Sequence, residues 1–464
     1  MGSSFNRTRE SGGFCYSNSL TQFSFISIVF VNTLFFSGYY ILKDPLAYIL
    51  YSEGIPLKQA YSITTTANTL LALSALFFGF TLHNCGKQKF SLFIGIMLSV
   101  ISICLLSIKS LTLSMLAVTF YIVGGGLYFF NIVIFINRLF GDSQVRIRGN
   151  YIYQIFVNLG AAVGCVLFLM QLNTVNVFKY CLISGASSLL LFILFYKHIE
   201  DEQSSKIDSA KFFLYLIMLF CIVYIALNFE QTTRWIVIAS FLVAVTYMIY
   251  KSNIESNSAL LSFIYLVFLF SIPYWIANTI IFNEFFYFLT KDVSSIHGFS
   301  PAILIMIDPI VNAFFGSSIL LWQGNRIINH YKNLSYSSFL MTISFVVLCV
   351  GLFFTNGNQK ISFVYPLITM GLFACSEFLL QTTLNARIRD LLLSQRKNEF
   401  LATGMMRSSR AFATVIGYYL MTLTVHANAS TSDIRSNLNL YFGMVLIFII
   451  SYVCYKLIGK SKLI

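Results

Sequence analysis

The sequence predicts an all-α polytopic membrane protein of about fourteen spanning helices, and three observations carry that reading. Of 464 residues, 57% are hydrophobic and only 10% are charged, where a soluble protein carries about a quarter charged. Apolar runs of about 20 residues, the length that crosses a bilayer, recur along the whole chain. The basic residues fall between those runs, with a sidedness that alternates from one connection to the next. No polar interval exceeds about 20 residues, roughly the length of one span. The composition therefore excludes a soluble enzyme and leaves no room for an independent extramembrane catalytic domain.

The elements follow in order. Residues 1–19 are polar and read as a cytoplasmic tail. The run after them is as long as a span, so no cleavable signal peptide is expected. Spans near 20–42, 60–82, 90–108, 111–137, 150–172 and 177–197 make a first six-helix bundle. The longest polar interval, Tyr196 to Lys211, holds Glu200, Asp201, Glu202 and Asp208 and supplies a cytoplasmic linker at 198–210. Two shorter spans, near 211–227 and 233–250, form a hairpin insert, read as a packing or assembly element. Spans near 259–289, 302–322, 336–355, 361–385, 398–425 and 437–459 make a second six-helix bundle, and 460–464 a cytoplasmic tail.

Placing both termini in the cytoplasm puts 20 of the 30 Lys and Arg residues inside and eight outside, with Arg407 and Arg410 within a span. An odd number of spans would destroy this bias, so the count is even. The same topology accounts for the net charge of +13, and no nucleic-acid partner is expected. The nine cysteines are scattered through apolar runs and form no CxxC or Cys/His cluster. They read as small core residues, with no disulfide framework, metal or cofactor. There is no GxSxG, HExxH or phosphate-binding loop, so the chain is not expected to be an enzyme. The glycines at 124–126 lie inside an apolar run and read as packing.

Several stretches, taken in order from about residue 30 to 420, resemble the proton-dependent oligopeptide transporter (POT) family of the major facilitator superfamily. In the first span, Asn32 to Tyr40 occupies the register of the family's ExxERFxYY pattern. Tyr39 and Tyr40 are kept, the two glutamates and the arginine are replaced by Asn32, Phe35 and Phe36, and Lys43 holds the following basic position. Gly79 to Lys89 resembles the GxLaDrxGRK loop, with His83 in the place of its aspartate. Gly124 to Asn131 resembles GxGxFKPN, with Phe129 for the lysine, and Tyr153 to Ala161 resembles YxxxxNxGA. In the second half, Tyr274-Trp275 resembles the start of FWxxxEQ, Ile307-Asp308-Pro309 the LNP step, and Ser376-Glu377 the GE of the tenth bundle helix. The resemblance implies a major-facilitator-type fold, two six-helix bundles plus a two-helix insert. It also implies a di- or tripeptide or amino-acid-derivative cargo, driven by protons.

Polar groups inside spans are the candidate site, because a charge at mid-membrane costs about 2.5–3.5 kcal/mol even on the lenient insertion scale. Glu377 reads as cavity-lining and proton-coupling; a structural ion pair with Arg407 or Arg410 is the alternative. Asp308, before Pro309, reads as a second titratable group or as a cap of the segment after the proline. Asn32, Gln154, Asn158 and Asn278 can hydrogen-bond a polar cargo or serve as interhelical glue. Tyr39, Tyr40, Tyr128 and Trp275 are candidate cavity walls or packing residues. Lys43 can attract a ligand carboxylate or lie at the outer surface. Arg407 and Arg410, three apart on one helical face, read as inner-gate groups, and Glu284 as a gate ion pair or a solvated interfacial charge. The expected protein is thus a monomeric secondary transporter in the inner (cytoplasmic) membrane, with a small solute, protons and lipid as partners. The alternatives are a carrier of another metabolite, siderophore or drug, or a membrane sensor or scaffold without transport.

Overall fold

The computed structural model of this chain describes residues 19–43, 46, 50, 57–81, 88–108, 110–140, 142–170, 174–199, 209–255, 258–281, 293, 304, 306–323, 328–354, 361–392, 396–425 and 434–459. The described residues form fourteen helices and no β-strand; one isolated bridge joins Val293 to Ile361. The first six are α1 (Ser19–Lys43), α2 (Leu57–Thr81), α3 (Gln88–Leu106), α4 (Leu111–Leu139), α5 (Ser143–Met170) and α6 (Thr174–Phe195). The insert is α7 (Ser209–Asn228) and α8 (Glu230–Ile254). The last six are α9 (Ser258–Ile280), α10 (Ile307–Gln323), α11 (His330–Phe353), α12 (Val364–Leu392), α13 (Arg396–Val425) and α14 (Ile434–Gly459). Twelve of them carry a stretch long and apolar enough to cross a membrane; α10 has a shorter apolar run and α13 is too polar on average. The face at which α1 starts, predicted cytoplasmic from the charge bias, is here called the inner face.

Two large cores divide the molecule. One gathers apolar side chains of α1–α6 together with Phe212, Leu219, Val223 and Leu227 of α7. The other gathers α9 and α11–α14 together with Phe241, Val245 and Met248 of α8. The two legs of the insert are therefore owned by different bundles. Two small clusters fill the seams between bundles. Ala72 of α2, Val237 of α8, and Ala411 and Val415 of α13 pack together on one side. Ile147, Tyr151 and Ile155 of α5 meet Phe378 and Ala386 of α12 on the other.

Small and hydroxylic residues let the helices approach, as expected where lipid supplies no hydrophobic drive between them. Ser337 and Ser376 hydrogen-bond across α11 and α12 at 3.0 Å, and Ser271 and Ser409 across α9 and α13 at 2.7 Å. At the α2–α13 seam, a Cβ on Gly404 would stand 2.9 Å from the Ala75 carbonyl oxygen and 3.2 Å from the Leu76 Cα. Only glycine permits that backbone approach.

Several helices outrun their apolar stretches at the inner face. The span expected from 150 begins at Ser143, and the one expected to end at 385 runs to Leu392. Hydropathy stops at charges, but a charge can be satisfied inside the protein. Arg146, expected in a loop, is fully buried in α5, where its Nε and Nη2 donate to the Phe140 carbonyl at 3.2 and 3.1 Å.

Candidate functional site

The site is assembled at mid-span from both bundles. In α9 the α-helical turns are interrupted by a π-turn over Val267–Ser271, directly before Pro273. A proline cannot donate to the preceding turn and crowds its carbonyl, and the widened turn absorbs that misfit. The segment that resumes carries Tyr274, Trp275 and Asn278. The Tyr274 hydroxyl accepts from Asn278 Nδ2 at 3.3 Å and lies beside the Glu377 carboxylate of α12. Glu377 also accepts from Gln381 Nε2 at 3.1 Å, one turn along its own helix. Asp308 and Arg410 both lie within electrostatic reach of the same hydroxyl. The Arg410 guanidinium sits over the Trp275 ring, 4.2 Å from its centroid. Tyr274 is thus the junction of a polar chain that joins α9, α12 and α13.

Next to this chain lies a narrow cavity lined by Ser271, Tyr274, Trp275, Gln381, Asn385, Met406, Arg407 and Arg410, among others. It has room for about one or two water molecules. Asn385 is only 3% exposed, and its Oδ1 has no hydrogen-bond donor.

The first bundle supplies a different wall. Asn32, fully buried, accepts from the Tyr128 hydroxyl at 2.8 Å, while its Nδ2 has no partner. Around this pair the side chains are aromatic. Phe129 is ringed by Phe35, Phe36, Tyr39 and Tyr128, with centroids 4.8–6.1 Å away, and Tyr39 stacks on Tyr121 at 4.9 Å. Arg407 of α13 reaches electrostatically to Tyr153 of α5, and Tyr153 to Tyr128, which links the two walls.

On the inner face the bundles are bolted together by polar contacts. Arg138, at the end of α4, forms an ion pair with Glu399 in the first turn of α13 at 3.0 Å, with side chains only 10% and 8% exposed. Arg138 also covers the Phe400 ring. Asn137 Nδ2 donates to the Asn385 carbonyl at 2.7 Å and its Oδ1 accepts from Asn150 Nδ2 at 2.9 Å. Gln144 of α5 exchanges two hydrogen bonds with the backbone of Ile328, and Asn333 Nδ2 of α11 donates to Tyr151 of α5 at 2.7 Å.

Of the residues singled out from sequence, Trp275, Asn278, Asp308, Glu377, Arg407 and Arg410 come together in the second bundle. Asp308 is 9% exposed, in the first turn of α10, where Asn312 Nδ2 donates to it at 3.3 Å. Arg407 and Arg410, the candidate gate groups, line the mid-span cavity; among the described residues Arg138 and Glu399 form an ion pair between the bundles at the inner face. Asn32, Tyr39 and Tyr128 sit together in the first bundle. Gln154 and Asn158 are buried in α5, and the Asn158 amide is occupied by the Gln154 carbonyl at 2.9 Å. Tyr40 and Lys43 fall in the last turn of α1, with side chains outside the described residues, as is Glu284. Sequence reasoning named Tyr274 only as part of a motif and passed over Gln381, Asn385 and Glu399. Gln381 was legible as Glu377 plus four, one turn along the same helical face.

No protein-family model and no curated protein sequence matches the chain. Solved structures do. A bacterial homologue of the human drug peptide transporters PepT1 and PepT2 superposes with a TM-score of 0.72 at 16% identity, covering 95% of this chain and 100% of that one. A POT family transporter in complex with 5-aminolevulinic acid gives 0.73 at 19% identity, over 92% and 95% of the two chains. Tetrameric PepTSo2 gives 0.69 at 16% identity, over 94% and 97%. Agreement of this extent at such low identity speaks to architecture: the chain is a multi-pass membrane protein with the fold of the POT-family transporters, the major-facilitator arrangement of two six-helix bundles with a two-helix insert.

Proposed function

We propose that the chain is a secondary transporter that moves a small polar organic solute, a short peptide or amino-acid derivative, through alternating access coupled to protons. The observation that carries this reading is the group of Asn278, Tyr274, Glu377 and Gln381 beside a water-sized cavity walled by α9, α12 and α13 of the second bundle. Ionisable groups at that depth are costly and mark a pathway by default. The superposed structures, peptide transporters and a complex with 5-aminolevulinic acid among them, support the cargo class. We assign the proton to Glu377, with Asp308 as a second carrier. As a carboxylate, Glu377 only accepts, and it takes a hydrogen bond from Gln381 with the Tyr274 hydroxyl beside it; once protonated it must also donate, which rearranges these neighbours. With the inner face closed, cargo release on that side requires the Arg138–Glu399 pair to part. We place the carrier in the inner membrane as a monomer, since one chain supplies both bundles.

The test is uptake into proteoliposomes under an imposed inward proton gradient with a mixed di- and tripeptide pool, wild type beside Glu377→Gln and Asp308→Asn. Gradient-driven accumulation, abolished by either substitution, is the expected result. No accumulation by folded wild-type protein would turn the reading to another solute or to a non-transport role.

A further inference from the structure

The cavity holds two unsatisfied groups of opposite character. Arg410 is a half-buried cation in the middle of the 30-residue α13. Among the described residues no carboxylate lies within ion-pair distance of it, and the contact that holds it is the face of Trp275. A ring face neutralises a guanidinium only from above. Its five N–H donors point outward in the guanidinium plane and remain unsatisfied by the ring. Across the same cavity, Asn385 Oδ1 is a buried acceptor with no donor. The first-bundle wall around Asn32 and Tyr128 offers aromatic rings and no charge.

We infer that Arg410 is the anion-recognition residue of this cavity, taking the carboxylate of the solute in its guanidinium fork while Asn385 Oδ1 accepts an N–H from the same solute. The class of ligand is a carboxylate that carries an N–H donor a few bonds away, as amino-acid derivatives and short peptides do. Both polar ends are then read by the second bundle alone. A planar fork suits a carboxylate better than a point charge does, which is what distinguishes arginine from lysine here. This inference rests on the transporter reading for its biological setting, but it stands or falls on binding alone.

The experiment is equilibrium binding to the full-length protein in lipid nanodiscs. The probes are alanyl-phenylalanine, its C-terminal amide, and 3-phenylpropionate, which keeps the carboxylate and lacks the N–H. Wild type should bind the free dipeptide roughly tenfold or more tightly than the amide, the scale of one charge-assisted hydrogen-bonded contact. Arg410→Gln should erase that difference, and Arg410→Lys should keep part of it. Arg234→Gln, which removes a cation stacked on Tyr418 outside this cavity, should leave it intact, and size-exclusion and thermal unfolding profiles establish that each variant is folded. If 3-phenylpropionate binds through Arg410 while the dipeptide does not, the anion site stands and the peptide reading falls. If the dipeptide binds equally with and without its carboxylate, or the discrimination survives in Arg410→Gln, the site is wrong and the transporter reading survives. Folded wild-type protein that binds no carboxylate of the set at millimolar concentration overturns the anion site.

Discussion

Tyr128 and Asn32 show how a single buried pair can be weighed. The Tyr128 hydroxyl is the donor to an asparagine whose other amide atom is already unpartnered. Tyr128→Phe strands the Asn32 oxygen as well and should cost about 1–3 kcal/mol. Adding Asn32→Leu removes the stranded group and should return part of that loss, a non-additive pattern that thermal unfolding of the two singles and the double can detect. At Glu377 the expected split is kinetic. Glu377→Gln should abolish proton-driven accumulation yet leave solute exchange in the absence of a gradient, measured by counterflow; loss of both would make Glu377 a cargo ligand rather than the proton carrier. At this scale the sequence was informative about residue types and poor about partners. A mid-span glutamate announces itself through its cost in lipid, but its place beside Tyr274 depends on where α9 is turned. That is set by a π-turn whose only sequence mark is Pro273. Arg146 was misread as a loop residue because nothing in a hydropathy profile reports that a carbonyl waits for it.

Among elements, the α2–α13 seam is the most sensitive to volume. Gly404 faces backbone atoms of Ala75 and Leu76, which cannot swing aside as a side chain can. Gly404→Val should force the two helices apart and destabilise the protein by about 1–3 kcal/mol, as overpacking does. Thermal unfolding tests this, with Gly443→Ala, where a Cβ meets nothing within 4 Å, as the quiet control. The helices themselves were the most legible feature of the chain, because a bilayer demands about 20 apolar residues and the sequence supplies them repeatedly. Their inner-face extensions were not, since those turns are polar and are held by inter-bundle hydrogen bonds such as Asn137 to Asn385.

For the molecule as a whole, the Arg138–Glu399 pair closes the inner face, and its removal should change the balance of conformations more than the fold. Taking away one partner leaves the other buried and uncompensated, a cost that falls on the closed form alone. Arg138→Gln should therefore raise hydrogen exchange in the first turns of α13 and at the end of α4, and the swap Arg138→Glu with Glu399→Arg should restore protection. Unchanged exchange in Arg138→Gln would deny the pair any part in closure. The two-bundle plan could be read in advance from the grouping of spans and their charge bias; which polar residues would meet across the divide could not, because they lie as much as 261 positions apart.

The divided ownership of the insert has a mechanical corollary. α7 travels with the first bundle and α8 with the second, yet Asn228 and Glu230, their adjoining ends, are two residue steps apart, at most about 7 Å of chain. The hairpin is thus a leash of fixed length across one flank of the outer mouth. On that flank the two halves have little freedom to part, and wider separation is left to the far flank, where α5 faces α10. Two bundles tethered this way would swing like a door hung on one jamb, opening on the side opposite the insert.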